Sequence, residues 1–326
     1  MNYNISVVIP TYKRPELVVR CLAALARQNY PFEYFEIIVV TDGPDDRTKK
    51  EVSYFKEGHP YLRINFTSTT GKKGPAAARN RGASLAKGEL LVFTDDDCIP
   101  QCDWLRAYWS EYQSSLKSEI AFTGRTIVPH STRPTDYEKN IARLQTAEFI
   151  TANCACSKQA FETVGGFDEE FPVAWREDSE MQFKLMGAEI PIRKINDAVV
   201  LHPVRKAHWG ISLKEQKKSM FNALLFKKHP LLYKEKISGK PLWNYYAMVL
   251  LVCFSAAAYA SEMPVVSIAA MIVWAILVAQ FTSKRLKGTS KKFSHVAEML
   301  FTSALIPFLS VYWTLYGAFR YKTILL

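Results

Sequence analysis

The chain has 326 residues, of which 48% are hydrophobic and 22% are charged, and its formal net charge is +11. These values exclude a disordered, collagen-like or small disulfide-rich protein, and they allow one large domain or two ordinary ones. The charge is divided unevenly, because residues 1–204 hold 25 Lys and Arg against 27 Asp and Glu, whereas residues 205–326 hold 17 against 4.

Residues 4–100 alternate strand-like and helix-like segments. Runs of β-branched residues predict strands, and apolar residues at helical spacing predict the helices between them. We predict strands near residues 5–10, 35–40, 62–67 and 90–94, and helices near residues 16–27, 47–56 and 75–87. This alternation predicts an α/β fold with a parallel sheet covered by helices on both faces.

Polar side chains follow each predicted strand. Because ligands bind beyond the carboxyl ends of the strands in such sheets, these side chains are the first candidates for a site. Hydroxyl, guanidinium, ammonium and carboxylate groups at one edge suit a phosphorylated ligand bound together with a metal ion. The candidates are Pro10, Thr11, Tyr12, Arg14, Asp42, Gly74, Arg79, Asp95, Asp96 and Asp97.

Three successive aspartates, Asp95, Asp96 and Asp97, come directly after an apolar strand. Their charges repel one another unless a cation lies among them. Carboxylate oxygens are suitable ligands for Mg²⁺ or Mn²⁺, which bridge to substrate phosphates. An acidic loop tip on the surface is the alternative interpretation.

Gly74 and Pro75 open a predicted helix, and Arg79 follows one turn later. Helix N–H groups and a guanidinium in this arrangement can bind phosphate oxygens. The spacing differs from that of a P-loop, so a P-loop nucleotide site is not expected.

Glu177 and Asp178 lie where a loop enters an amphipathic helix, close to Trp175. A carboxylate beside apolar side chains suits a general base, although Asp178 could instead cap the helix. His202 ends a later strand-like run, where an imidazole is either a third metal ligand or a solvated side chain.

The last third of the chain contains three uncharged runs of 21 residues, at 241–261, 263–283 and 299–319. About 20 helical residues span the hydrocarbon core of a bilayer, so each run is long enough to cross it. Buried core helices are the alternative. The third run contains Pro307, which leaves a kinked or interfacial helix open for that segment.

Lys and Arg residues flank these runs, with ten in residues 205–240 and five in residues 284–292. The positive-inside bias assigns both segments to the cytoplasmic side, so the first two runs form a hairpin that turns near residue 262. Anionic lipids explain this charge better than nucleic acid does, and no nucleic-acid partner is expected. We see no signal peptide, and we expect residues 1–204 to stay in the cytoplasm, at the inner or plasma membrane.

Several motifs resemble those of the family 2 glycosyltransferases with the GT-A fold, over roughly residues 4–204. Such a resemblance implies a Rossmann-like, mostly parallel sheet flanked by helices. The segments that carry it, in chain order, are Ser6–Tyr12, Val39–Gly43, Gly74–Gly82, Phe93–Asp97, Gly165–Glu169 and Glu177-Asp178.

The resemblance implies a role for each motif. The first two loops would bind the nucleotide through Pro10, Thr11, Tyr12, Arg14 and Asp42, with Gly74, Arg79, Asp95 and Asp96 also on the donor. Asp97, Asp95 and His202 would hold Mn²⁺ or Mg²⁺, and Asp178, with Glu177 beside it, would be the catalytic base. Gly165, Gly166, Phe167, Asp168 and Trp175 would lie by the donor sugar and the acceptor.

We therefore expect a catalytic domain at 1–204, a basic juxtamembrane segment at 205–240 and a membrane region at 241–326. The expected activity is inverting transfer from a nucleotide-diphosphate sugar, with UDP-sugars favoured, to a hydroxyl of a saccharide or lipid-linked acceptor in cell-envelope polysaccharide or glycolipid synthesis. A polyprenyl-phosphate sugar synthase and a non-catalytic nucleotide-sugar-binding membrane protein are the alternatives.

Overall fold

The computed structural model describes residues 3–323, which divide into two compact units. The first comprises the described residues up to Pro129 together with Ala142–Val204, and the second comprises His130–Ile141 together with the described residues from Arg205 onward. Residues 130–141 therefore group with the C-terminal part of the chain, although strands of the first unit precede and follow them in sequence.

The first unit is built around one mixed sheet of eight strands. Their spatial order is β3-β2-β1-β4-β7-β6-β8-β5, and β7 runs antiparallel to both β4 and β6. The strands are β1 (Ile5–Thr11), β2 (Phe35–Thr41), β3 (Ile64–Ser68), β4 (Leu90–Thr94), β5 (Ile99–Pro100), β6 (Ala121–Ile127), β7 (Asn153–Ser157) and β8 (Ile192–Leu201).

Helices cover the sheet. The predicted strands and helices of residues 4–100 are confirmed to within two residues at each end. The helices of this unit are α1 (Pro15–Leu25), α2 (Asp46–Gly58), α3 (Pro75–Leu85), α4 (Trp104–Ser114), α6 (Lys158–Thr163) and α7 (Glu177–Gly187), and α5 (Asp136–Ile141) belongs to the second unit.

Strands β1, β2 and β4 are buried along their whole length, as expected for parallel strands between two helical layers. Helix α3 approaches this sheet closely, since a Cβ atom added at Gly82 would lie 2.4 Å from Val8 Cγ1. The apolar strands thus fix the sheet, and their carboxyl ends present the polar loops at one edge.

The second unit is helical. Its remaining helices are α8 (Ile211–Glu215), α9 (Met220–Lys228), α10 (Pro230–Lys236), α11 (Trp243–Ala260), α12 (Pro264–Leu286) and α13 (Phe293–Arg320). Helices α11 and α12 form an antiparallel hairpin, in which Ser255 Oγ lies 2.9 Å from Ser267 Oγ. Helices α11, α12 and α13 are each long and apolar enough to cross a membrane. Pro307 lies inside α13, which continues through it.

Candidate active site

The loop after β1 is attached to Asp96. Thr11 Oγ1 donates a hydrogen bond to Asp96 Oδ2 at 2.6 Å, and Arg14 Nε lies 3.0 Å from the same oxygen. Burial raises the pKa of Asp96 to about 7, although the Arg14 guanidinium and the Thr11 hydroxyl oppose the shift. Asp96 therefore holds the Thr11–Arg14 loop, which is predicted to bind the donor, in position.

Asp42 shapes the loop that follows β3. Its carboxylate accepts hydrogen bonds from Lys73 N at 2.6 Å and from Gly74 N at 3.0 Å. Gly74 has a φ of 102°, and a Cβ atom there would lie 2.4 Å from Pro172 O, so only glycine fits. On the same loop, Lys72 Nζ lies 4.4 Å from the centre of the Tyr12 ring. This loop and the loop after β1 thus bring lysine side chains to the Tyr12 ring, and we call this surface the basic wall.

Arg79 joins two of the predicted carboxylates. Its Nη2 lies 2.6 Å from Asp95 Oδ1, and its Nη1 lies 3.5 Å from Glu177 Oε1. The Arg79 side chain is 2% exposed, so its contact with the buried Glu177 is shielded from water, whereas Asp95 is partly exposed. Burial raises the pKa of Asp95, but the Arg79 guanidinium and His202 outweigh it, and the net pKa is lowered. Residues from α3, from the end of β4 and from α7 therefore form one chain of ionisable groups around the buried Arg79.

Glu177 and Asp178 begin α7. Burial and the Asp178 carboxylate raise the pKa of Glu177 to about 8, against the opposing charge of Arg79. Burial also raises the pKa of the half-buried Asp178, against a hydrogen bond from Ser179 N. The alternative in which Asp178 caps the helix is wrong, because α7 begins at Glu177 and its N-cap position is Arg176.

Asp97 and His202 could hold a divalent metal. His202 Nε2 lies 3.8 Å from Asp97 Oδ1, and ligand atoms of Asp97, Cys98 and His202 all lie within 4.8 Å of one another. His202 Nδ1 is buried and has no hydrogen-bond partner among residues 3–323. Burial raises the pKa of Cys98 well above its usual range, so Cys98 stays a neutral thiol. An imidazole and a carboxylate fit Mn²⁺ or Mg²⁺ better than a thiol does.

Comparison with known families settles the class of this unit. Residues 6–165 match the family model described as Glycosyl transferase family 2. These residues belong to glycosyl transferase family 2.

Two curated relatives extend the match beyond that region. Glycosyltransferase AglE of Haloferax volcanii is 26% identical over an alignment of 223 residues that covers 65% of this chain and 70% of that protein. Validoxylamine A glucosyltransferase of Streptomyces hygroscopicus subsp. jinggangensis is 27% identical over an alignment of 276 residues that covers 71% of this chain and 62% of that protein.

One solved structure is similar over nearly the whole chain. It is the mannosyltransferase PcManGT from Pyrobaculum calidifontis in complex with GDP-Man and Mn²⁺, with a TM-score of 0.62 and 19% identity. The similarity covers 97% of this chain and 88% of that one. The predicted α/β GT-A fold is confirmed.

The Gly165–Asp168 loop of the glycosyltransferase unit is held by Asn80, which the sequence analysis did not select. Asn80 Oδ1 accepts a hydrogen bond from Phe167 N at 2.8 Å, and Asn80 Nδ2 donates to Phe167 O at 2.8 Å. Gly165 and Gly166 both have positive φ angles, and Phe167 packs beside Phe93 in the core. The position of Asn80 directly after Arg79 was the available signal.

Trp175 and Asp168 make more local contacts. The Trp175 ring is 39% exposed and lies under the Arg176 guanidinium, whose central carbon is 4.9 Å from the ring centre. Asp168 Oδ1 accepts a hydrogen bond from Glu170 N. The structure therefore joins Asp95 to Arg79 and Glu177, Asp96 to Thr11 and Arg14, and Asp97 to His202.

Proposed function

We propose that this protein is a membrane-anchored, metal-dependent, inverting glycosyltransferase. It moves a sugar from a nucleotide-diphosphate sugar to a hydroxyl of a saccharide or lipid-linked acceptor. The observation that carries the proposal is the chain Asp95–Arg79–Glu177, in which Arg79 and Glu177 are buried and which ends beside Asp178. A carboxylate with a raised pKa at this position suits a general base better than it suits a structural ion pair.

In this proposal Asp178 takes the proton of the acceptor hydroxyl. The acceptor oxygen forms a bond to the anomeric carbon on the face opposite the leaving group, and the bond from that carbon to the nucleotide diphosphate breaks. The configuration of the sugar is thereby inverted. Because burial raises the pKa of Asp178, its ionised form is a stronger base than an ordinary aspartate.

The other residues of the unit hold these groups in place. Arg79 fixes Glu177 next to Asp178, and it fixes Asp95 next to the pair formed by Asp97 and His202. Asp97 and His202 would hold Mn²⁺ or Mg²⁺, which, when bound, offsets charge on the diphosphate leaving group. Asp96 positions the Thr11–Arg14 loop, which we assign to the nucleotide.

The donor is proposed as a nucleotide sugar, with UDP-sugars as the first candidates. The basic wall of Lys72 and Lys13 around the Tyr12 ring supports a phosphorylated, aromatic ligand. The solved mannosyltransferase binds GDP-Man, so GDP-sugars belong in the same screen. Thermal-shift measurements with a panel of UDP-, GDP- and dTDP-sugars and Mn²⁺ would identify the donor, since a selective ligand stabilises the folded protein by mass action.

Membrane attachment is part of the proposal. Helices α11 and α12 are long and apolar, and they are flanked by the basic segments that the positive-inside bias assigns to the cytoplasmic side. Attachment there would bring the glycosyltransferase unit to the surface at which a lipid-linked acceptor is available. A phosphate acceptor is already ionised and needs no base, so the Glu177-Asp178 pair favours a hydroxyl acceptor over a polyprenyl phosphate.

The test is the variant Asp178→Asn, with Asp197→Asn as its matched control, because Asp197 is an exposed aspartate on β8. Loss of the base should lower transfer by about 100-fold or more, while donor binding by thermal shift is retained. The control should keep both properties. Unchanged transfer in Asp178→Asn would overturn the assignment, and assays with polyprenyl phosphate and with a lipid-linked saccharide separate the two acceptor classes.

A further inference from the structure

We infer that α13 lies in the plane of the cytoplasmic membrane surface, so that residues 3–323, the part of the chain that the structure describes, cross the membrane only twice, through α11 and α12. The inference rests on the membrane attachment proposed above. It concerns the second unit alone, and it starts from the segment of residues 209–221, here called the lysine segment, which contains α8 and the first residues of α9.

The lysine segment accompanies the first half of α13. Trp209 Nε1 donates a hydrogen bond to Ser294 O at 3.3 Å, and the Trp209 ring lies 5.4 Å from the Phe301 ring. Gly210 N donates to Glu298 Oε1 at 2.7 Å. The start of the lysine segment is therefore fixed to the first turns of α13.

The same segment accompanies the second half of α13. Lys217 Nζ lies 5.5 Å from the centre of a ring of Trp313. A Cβ atom added at Gly317 would lie 2.4 Å from Met220 O, so the two backbones touch there. The contacts thus occur in the same order along both elements, so the lysine segment runs beside α13 from one end of the helix to the other.

The charges of the lysine segment make a spanning α13 unfavourable. Lys214, Glu215, Lys217 and Lys218 all lie between the contacts at the two ends of α13. If α13 crossed the bilayer, these side chains would lie beside it within the hydrocarbon, where charged groups are costly. No Asp, Glu, Lys or Arg lies within α11, and those of α12 lie in its last turn.

The contacts of Arg285 indicate how deep the middle of α13 lies in the membrane. This residue lies in the last turn of α12, where Nη1 donates hydrogen bonds to Thr302 Oγ1 at 2.7 Å and to Ser303 Oγ at 3.1 Å. Nη2 pairs with Asp136 Oδ2 at 2.8 Å. An ion pair that follows the apolar length of α12 belongs at the membrane surface, and it places Thr302 and Ser303 at that level too.

The exposed face of α13 is apolar and aromatic, and it forms a single stripe at helical spacing. Tyrosines on this stripe suit the headgroup boundary, where one end of the ring is apolar and the other is hydrated. The lysines alongside complement anionic lipid headgroups, so lipid is the occupant that this face fits. The exposed members of the stripe are Phe301, Leu305, Tyr312, Leu315, Tyr316 and Phe319.

An in-plane α13 also agrees with the charge at the end of the chain. Arg320 and Lys322 would lie on the extracytoplasmic side if α13 crossed the membrane, which the positive-inside bias disfavours. They remain cytoplasmic if α13 lies in the surface.

Sidedness of labelling tests the inference in the full-length protein. Exposed Cys102 and Cys253 are first replaced by Ser, and Lys322→Cys or Glu262→Cys is then introduced, both at exposed positions. We expect an impermeant maleimide to label Lys322→Cys in inverted vesicles and Glu262→Cys in right-side-out vesicles. Labelling of both positions from the extracytoplasmic side would overturn the in-plane helix. Equal labelling in both vesicle preparations would overturn membrane attachment itself.

Spin labels at Leu305, Tyr312 and Phe319 give a second measurement. We expect all three labels to be accessible to oxygen, inaccessible to a water-soluble nickel complex, and at similar shallow depth in the membrane. A depth that passes through the bilayer centre between Leu305 and Phe319 would contradict the inference. Protection from both reagents would mean that a second copy of the chain covers this face, which would equally contradict it.

Discussion

Among residues 3–323, each unit contains an arginine that forms an ion pair, the buried Arg79 and the half-buried Arg285, and the two differ in how fully their hydrogen-bonding groups are satisfied. In the glycosyltransferase unit, Arg79 faces Asp95 and Glu177, with Asp178 adjacent, and its Nε has no hydrogen-bond partner among residues 3–323. In the helical unit, Arg285 faces the single carboxylate of Asp136 and donates to three hydroxyl groups.

The difference separates the proposed active site from a structural ion pair. Burial and the Asp178 carboxylate raise the pKa of Glu177 to about 8, because the single Arg79 guanidinium does not offset both effects. The balanced pair of Arg285 and Asp136 instead fixes residues 130–141 to the helices. Buried carboxyl groups with raised pKa values are the feature that marks the proposed chemistry.

The largest expected effect is on the arginine of the glycosyltransferase unit. Arg79→Met should lower transfer by about 100-fold or more, because Asp95 and Glu177 lose their common partner. It should also destabilise the fold by about 3–5 kcal/mol, since buried carboxylates are left unpaired. Arg79→Met combined with Glu177→Gln should regain part of the stability but none of the transfer. Recovery of transfer in the double variant would contradict the positioning role of Arg79.

Arg285→Met should destabilise the helical unit by a similar amount, about 3–5 kcal/mol, measured by thermal unfolding in detergent. The double variant with Asp136→Leu should regain most of this loss, because the pair is balanced and both charges are removed together. If the double variant stayed as unstable as the single one, the pair would not be the simple structural contact described.

His202→Ala should weaken the dependence of transfer on Mn²⁺, raising the required metal concentration by about tenfold or more. His208→Ala is the matched control, because His208 is exposed. In titrations of activity and of thermal stability, the required metal concentration should rise for His202→Ala and should not change for His208→Ala. Identical titrations for the two variants would remove His202 from the metal site.

The raised pKa of Glu177 predicts a pH dependence of stability. The folded protein keeps its proton up to about pH 8, whereas an unfolded glutamate releases it near its ordinary pKa of 4.5. Between these values the folded state binds more protons, so its contribution to stability should fall as pH rises. Glu177→Gln should flatten this part of a pH series of urea unfolding, and an unaltered slope would show that Glu177 is not the group responsible.

The smallest effect is expected at the hydroxyl partners of Arg285. Thr302→Ala or Ser303→Ala should each cost about 1 kcal/mol, the net value of an ordinary buried hydrogen bond. Thermal unfolding of each variant beside Arg285→Met measures this, and a loss as large as that of the arginine variant would mean that the hydroxyls carry the attachment.

Local patterns predicted much of the fold. The strands β1, β2 and β4 are continuous apolar runs, and the polar loops at their carboxyl ends were therefore identifiable. Strand β7 has the sequence Asn-Cys-Ala-Cys-Ser, which lacks β-branched residues, and its antiparallel position depends on pairing with β4 and β6. No local pattern carries that information.

The residues of the candidate site could be predicted from local patterns, whereas their contacts could not. Residue types and spacing selected Asp95, Asp97, Asp178 and His202, but not the partners that tertiary packing supplies. The contact of Arg79 with Glu177 depends on α3 and α7 reaching the same sheet edge. The pair of Asp136 and Arg285 joins residues 149 positions apart, and neither residue belongs to a motif.

The central claim is single displacement assisted by Asp178, and the anomeric configuration of the product tests it most directly. After the donor is identified, NMR of the glycosylated acceptor formed from a nucleotide α-sugar should show a β-linkage. Formation of that product should be lost in Asp178→Asn. An α-linked product would contradict the account.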